Sequence, residues 1–328
     1  MSHAPVLLNE AMEALALKDG GLYADATFGG GGYSRAMLER AQCRVIALDR
    51  DPDAAKRAEA FSATQQNRFT FRAGRFGDLA RLIDEPLDGV AFDLGVSSFQ
   101  FDEAERGFSF QADAELDMRM EQAGPTAADA INHLSEAALA DLFAGYGEDH
   151  DARRIARAVT QARAAAPITR TAVLADVIER GVGGRKGARI HPATRAFQAL
   201  RILVNDELGE VARGLSAAEA ALKEGGRLVV VAFHSLEDRL VKNFLVERAN
   251  AQGRGSRYAP DTPPERDASF VLERRRSTAP SDAETSANPR ARSASLRWAT
   301  RTAAPVWPAM ETPMLAPKAE AEWARLTR

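Results

Sequence analysis

The stretch Asp25-Ala-Thr-Phe-Gly29-Gly30-Gly31-Gly32 constrains this chain most. It joins a segment that reads as a strand, Gly21 to Thr27, to one that reads as a helix, Gly32 to Ala41. Glycines at such a turn let the backbone bend sharply and let a ligand lie against main-chain atoms. A second apolar strand, Cys43 to Asp49, ends in an acid about 20 residues further on, where a carboxylate can accept hydrogen bonds from adenosine ribose hydroxyls. Asp49 also reads as an acid at the entry of the next helix, beside Asp51 and Asp53.

The alternation continues. Val6 to Leu17 is an amphipathic helix, Asp53 to Ala63 is helical after Pro52, and Arg68 to Phe76 and Gly89 to Leu94 are further strands. Such βαβ units predict a parallel sheet with right-handed crossovers. From about Phe108 to Asp206 only helical patterns occur: Glu136 to Ala144, Ala152 to Ala166, Thr171 to Arg180 and Thr194 to Asn205. The strand rhythm resumes at Arg227 to Phe233, and Leu296 to Thr300 adds a late strand. The expected organisation is therefore a discontinuous, doubly wound α/β domain, residues 1–108 and 207–302, with an inserted helical substrate-recognition domain, 109–206. Ala251 to Asp267 and Thr278 to Ala287 read as loops, and the Pro- and Ala-rich tail, 303–328, is expected to be poorly ordered.

Two features separate the cofactor classes. Asp25 stands just before the glycines, where the diphosphate of a nicotinamide cofactor would repel it. The glycine spacing also breaks the dinucleotide pattern, since Tyr33 and Ser34 occupy the place of its last glycine. Both favour a methyltransferase using S-adenosylmethionine, with Asp25 facing the methionine amino end. Phe76 and Asp93 end the third and fourth strands, positions that face the ligand crevice of a parallel sheet. Phe76 suits an adenine cover or a core aromatic. Asp93 ends an apolar strand, where an ionised carboxylate is costly without a partner, which suits a functional role.

The net charge of −3 does not mark a nucleic-acid binder, so any RNA contact has to come from local basic clusters. The single cysteine, Cys43, excludes an intrachain disulfide, and with five scattered histidines it offers no metal-ligand spacing, so no metal is expected. No apolar run approaches the ~18 residues of a membrane helix. The start lacks the pattern of a secretory signal, and a cytoplasmic protein is expected.

Several motifs then occur in order: His3-Ala-Pro-Val-Leu-Leu, the glycine loop, Asp93-Leu-Gly-Val-Ser-Ser, Arg106-Gly-Phe-Ser-Phe, Leu116-Asp-Met-Arg-Met, His191-Pro-Ala-Thr-Arg-Ala-Phe-Gln-Ala-Leu-Arg-Ile, Phe233-His-Ser-Leu-Glu-Asp-Arg and Asn288-Pro-Arg-Ala-Arg-Ser. Together they resemble the small-subunit (16S) ribosomal RNA cytosine-N4 methyltransferase family, RsmH or MraW. The resemblance implies a class I, Rossmann-like methyltransferase fold of seven strands with a helical insertion. It implies S-adenosyl-L-methionine as donor and a cytidine of the ribosomal decoding region as target. It places cofactor contacts at Gly31, Gly32, Tyr33, Asp49, Phe76, Asp93 and Gln100. Three positions depart from the family pattern: Gly30 stands for an arginine, Tyr33 for a histidine and Phe99 for a proline.

Asp93 and His234 are the catalytic candidates, Asp93 at the junction of donor and target base, His234 toward the base or its phosphate. His234 reads equally as a hydrogen-bonded histidine at a helix start. Ser97 and Ser98 are candidate polar contacts or helix caps, and Phe99, Phe101 and Phe108 candidate stacking or core residues. For RNA phosphates the candidates are Arg185, Lys186 and Arg189 in a glycine-containing loop, and Arg195, with further arginines at 153, 154, 157, 201, 274–276, 290 and 292. The expected partner is small-subunit ribosomal RNA within an assembled or assembling subunit; a homodimer is compatible with the sequence. The competing readings are an amino methyltransferase of another nucleic acid and a non-catalytic ribosome-assembly factor. A DNA enzyme would carry Pro-Pro and an aromatic after the fourth strand, where this chain has Leu94-Gly-Val.

Overall fold

The computed structural model describes residues 5–185, 190–251 and 265–327. The strands are β1 (Leu22–Asp25), β2 (Arg44–Asp49), β3 (Phe69–Ala73), β4 (Leu87–Asp93), β5 (Leu222–Ala232), β6 (Phe270–Val271) and β7 (Ser295–Arg301). The helices are α1 (Leu8–Leu15), α2 (Gly32–Arg40), α3 (Pro52–Ser62), α4 (Leu79–Leu82), α5 (Ser98–Asp102), α6 (Ala127–His133), α7 (Glu136–Gly145), α8 (Ala152–Ala165), α9 (Thr171–Gly181), α10 (Ala193–Asn205), α11 (Glu207–Ala221), α12 (Ser235–Arg248), α13 (Asp282–Ala287) and α14 (Pro317–Leu326).

The chain divides into two compact units, residues 1–95 with 208–312 and residues 96–207 with 313–328. In the first, seven strands form one sheet in the order β3-β2-β1-β4-β5-β7-β6. Strands β1 to β5 run parallel, and β7 pairs antiparallel with β5 and β6. This is the expected class I methyltransferase arrangement. Apolar strands suit it, because a sheet covered by helices on both faces buries nearly every strand residue. Along β4 successive side chains alternate between the faces. Ala91 joins Met12, Met37, Ala54 and Val229 in one core layer, built from α1 to α3. Phe92 faces the other way, toward Gly214 of α11. Local signals set the helix starts: Asp51 caps α3 by accepting from Asp53 N–H at 3.0 Å, with Pro52 at the first helical position.

The second unit is helical. Leu142, Phe143, Ile155, Leu174, Ile178 and Leu200 from α7 to α10 are buried in it. Arg163 of α8 donates to the carbonyls of Ile131 and Leu134, satisfying the end of α6 that has no intrahelical partners. Among the described residues no helix is long and apolar enough to cross a membrane.

Three expectations change. The first cut falls after Gly95, not residue 108, because the chain joins the helical unit as soon as it leaves β4. Residues 303–327 are not a disordered tail. Their first part stays with the sheet unit, where Met310 N–H donates to Ser216 Oγ at 2.9 Å. Residues 317–326 form α14, which buries Ala319 and Trp323 in the helical unit while Tyr146 Oη donates to Glu320 at 2.8 Å. Proline-rich composition hid this order, which comes from a few anchoring contacts. Within the expected loop from Thr278, residues 282–287 form α13, capped by Ser281 and holding Leu7 N–H through Glu284 at 2.7 Å.

Candidate active site

Three carboxylates meet at the carboxyl edge of adjacent strands. Asp25 ends β1, Asp49 ends β2 and Asp93 ends β4. In register Asp25 lies level with Ala47 and Ala91, so Asp49 and Asp93 reach two residues beyond it on either side. Two residues along a strand span about 6.6 Å, so Asp25 forms the floor of a notch between its neighbours.

Asp25 is buried and accepts from Ser34 twice, at 3.0 Å from the backbone N–H and 2.7 Å from the hydroxyl. Burial, reinforced by the charge of Asp49, pushes its pKa up to about 6 against these hydrogen bonds. Asp49 accepts from Gly29 N–H at 2.7 Å and from Asp51 N–H at 2.9 Å, which ties the glycine loop to the end of β2. Burial raises its pKa too. Each carboxylate oxygen has two lone pairs, so Asp49 keeps acceptor capacity for hydroxyl groups.

Asp93 differs. Its backbone N–H donates to Thr27 Oγ1 at 2.7 Å, but its Oδ1 is buried with no hydrogen-bond partner among the described residues. Burial pushes its pKa well above the carboxylate range, and the charges that act on it, from Asp25 and Glu237, are both negative. Unsatisfied buried polar atoms are costly, which makes Asp93 a candidate ligand-facing group.

Gly31 caps α2 with φ +76°, a left-handed conformation that strains other residues, and a Cβ there would meet the Phe28 ring at 2.8 Å. No side chain caps α2, so its first turn presents backbone N–H groups. A Cβ on Gly32 would collide with Pro5. Tyr33 turns its ring into the core and donates to Val6 O at 3.0 Å, so what it can offer a ligand is its main chain. Phe76 sits in the turn after β3, half-buried, its ring edge-on to Phe92 with centroids 5.5 Å apart.

His234 caps α12. Its Nδ1 accepts from Glu237 N–H at 3.4 Å, while Glu237 Oε2 accepts from the backbone N–H groups of Phe233 and His234 at 2.9 and 3.3 Å. An accepting Nδ1 leaves the ring proton of the neutral imidazole on Nε2, which is buried, lies 3.2 Å from Glu237 Oε1 and makes no hydrogen bond among the described residues. The reading of His234 as a helix-start histidine thus describes its side chain, with one ring nitrogen left over.

The helical unit holds the rest. Gln100 is buried and closes a capping box with Ser97, its side chain accepting from Ser97 N–H at 3.0 Å. Arg185 is exposed and pairs with Glu179 at 3.3 Å, and the exposed Arg195 donates to Glu148 O at 3.1 Å. Arg201 is half-buried and held in a bidentate pair with Glu207 at 2.7 and 2.8 Å, which leaves it less available to a phosphate than the exposed Arg185 and Arg195. His191, left without a role by the sequence, is held by Glu179 at 3.0 Å and caps the start of α10. Lys186, Arg189 and His3 lie outside the described residues.

The MraW methylase family matches residues 1–302. The chain belongs to this family. MraW relatives similar to it include proteins called ribosomal RNA small subunit methyltransferase H. That of Parvibaculum lavamentivorans is 53% identical over 93% of this chain and 91% of its own length. That of Caulobacter vibrioides is 54% identical over 94% and 98%, and that of Rhodospirillum rubrum 54% over 93% and 96%.

For an MraW methylase, the sequence offers the three acids and the glycine loop as candidates but not the groups that hold them. Thr27 ties β1 to Asp93, Ser34 fixes Asp25, and Glu237 organises the end of β5. Ser34 carried a faint signal, a hydroxyl two residues into a helix that begins at glycine. Glu237 carried a stronger one, three residues after His234, the spacing of a capping box.

Proposed function

We propose that the protein transfers a methyl group from S-adenosyl-L-methionine to the N4 exocyclic amine of a specific cytidine in small-subunit ribosomal RNA, in the decoding region. The observation that carries this reading is the Asp93 carboxylate at the carboxyl edge of the sheet, which among the described residues has an unpartnered oxygen and feels the negative charges of Asp25 and Glu237. Membership of a methylase family and the relatives' name support the substrate class.

The donor, when bound, supplies an electrophilic methyl group on a sulfonium. A sulfonium with an ammonium suits this edge, since a cationic ligand stabilises the ionised forms of Asp25 and Asp93, whereas a diphosphate would oppose them. Asp25 would meet the amino end. Asp49 would accept from the ribose hydroxyls and Phe76 would cover the adenine. The backbone of Gly31, Gly32 and Tyr33 would line the donor, and Gln100 is a further candidate contact.

Cytosine N4 is a weak nucleophile, because its lone pair is delocalised into the ring. Asp93 Oδ1 can accept one of its N–H bonds, which orients the amine and stabilises positive charge as it develops there. His234 Nε2 offers a donor to the base or its phosphate. Arg185, Lys186, Arg189 and Arg195 would meet RNA phosphates, which makes binding weaken steeply with salt.

The test is methyl transfer from labelled donor to small ribosomal subunits and to naked small-subunit RNA, with the product nucleoside identified by mass. N4-methylcytidine at one position is the expected result. No transfer to either substrate, with donor binding intact, would move the function to another nucleic acid or to a non-catalytic assembly role.

A further inference from the structure

The turn that carries Phe76 is held from α11. Glu210 is buried, yet its carboxylate reaches both neighbours of Phe76 in sequence. Its Oε2 accepts from Gly77 N–H at 3.0 Å, and its Oε1 lies 3.7 Å from the Arg75 guanidinium. Arg213 pairs with the same oxygen at 2.6 Å and neutralises the charge. One turn further along, Gly214 forms the floor beneath the ring. A Cβ at Gly214 would stand 2.6 Å from Phe76 Cδ2 and 3.1 Å from Phe92 Cε1. Residues 210 and 214 lie on one helix face, so one surface of α11 fixes both the backbone of the turn and the seat of the ring.

A turn of three residues at the edge of a sheet does not by itself call for a buried carboxylate, which costs free energy even when paired. We propose that Glu210 is a positioning residue for the methyl donor: it holds residues 75–77 so that the Phe76 ring stands over the adenine. The inference rests on the reading of Phe76 as the adenine cover. A bulkier residue at 214 would displace the ring, and loss of the carboxylate would free the turn.

The experiment is a double-mutant cycle read by calorimetry with S-adenosylhomocysteine, alongside thermal melting of each apo-protein. Phe76→Ala should weaken binding about tenfold, in line with the loss of one aromatic face from a base. Glu210→Ala should weaken it several-fold, and the double variant should bind no worse than Phe76→Ala alone, because Glu210 acts through the ring. Glu210→Gln, which keeps an acceptor for Gly77 N–H, should recover part of the loss and serves if the alanine variant does not fold. Wild-type affinity in both Glu210 variants, or losses that multiply in the double variant, would overturn the proposal and leave the methylase reading standing. Unchanged binding by Phe76→Ala would overturn it too, by removing the adenine cover. A wild-type protein that binds no S-adenosylhomocysteine and methylates no RNA would remove the reading beneath it.

Discussion

Strand β4 carries a carboxylate near each end, and the protein treats the two in opposite ways. Asp88, at the start of the strand, is buried but sits between Lys18 and Lys223 at 2.7 and 2.8 Å and accepts from Leu22 N–H at 2.9 Å. Burial alone would raise its pKa; the two lysines and the backbone donor outweigh that and hold it below the usual range. Asp93, five residues on, has neither lysine nor donor on its Oδ1, and burial with two neighbouring acids drives its pKa the other way. At one end the fold supplies the counter-charge itself. At the other it leaves an electrostatic deficit that a cationic ligand and an N–H donor would relieve. The same residue type on the same strand therefore separates scaffold from candidate site by its partners.

The sharpest way to break this contrast is to remove Asp93. Asp93→Ala should cut methyl transfer by about 10²- to 10³-fold, the loss typical of one group aimed at developing charge. Its melting temperature should not fall, since no hydrogen bond to Oδ1 is lost. Near-normal turnover would dissolve the distinction between the two ends.

A pH series on Asp25 comes next. Its pKa in the folded protein is about 6, against 3.8 as its ordinary value. The folded state therefore binds more protons than the unfolded state between these values, so stability present below pH 4 is lost as pH rises to about 6. The contribution is about 3 kcal/mol. The apo-protein should lose this stability across the window and Asp25→Asn should not. Parallel melting curves would show that Asp25 carries no such deficit.

Asp49→Ala should weaken donor binding by about 1.5–3 kcal/mol, the worth of a hydrogen bond to a charged group. Unchanged affinity by calorimetry would take Asp49 out of the site and leave it as the anchor of Gly29.

The smallest effect belongs to the paired end. Asp88→Asn should cost about 1 kcal/mol of stability, because its lysine partners are largely exposed and resolvate on losing it. Methyl transfer per folded molecule should be unchanged. A larger effect on turnover than on melting would mean that the start of β4 also belongs to the site.

Much of this was legible in the sequence. The glycine run fixed the β1-to-α2 turn with Asp25 just before it, and the apolar segments leading to Asp49 and Asp93 placed two further acids at strand ends. Those are local signals, read from hydrophobic period and turn chemistry. Arg201 illustrates the opposite case. Its place in a motif suggested a phosphate contact, but whether an arginine is free depends on its neighbour in space, and Glu207 claims it. Tyr33 is alike: the motif marked the position, and the core took the ring. The order of residues 303–327 was likewise out of reach, since proline and alanine do not announce Trp323 or the glutamates that anchor α14.

By itself the sequence determined the sheet class, the glycine turn and which strands end in acids, because backbone preference and burial pattern act over a few residues. Only the tertiary structure decided which of those acids are compensated. Lys18 and Lys223 reach Asp88 from separate parts of the chain, Glu210 reaches Gly77 across 133 positions, and the charges that act on Asp93 among the described residues are those of Asp25 and Glu237. Charge compensation is a property of distance in space, and a run of residue types does not encode it.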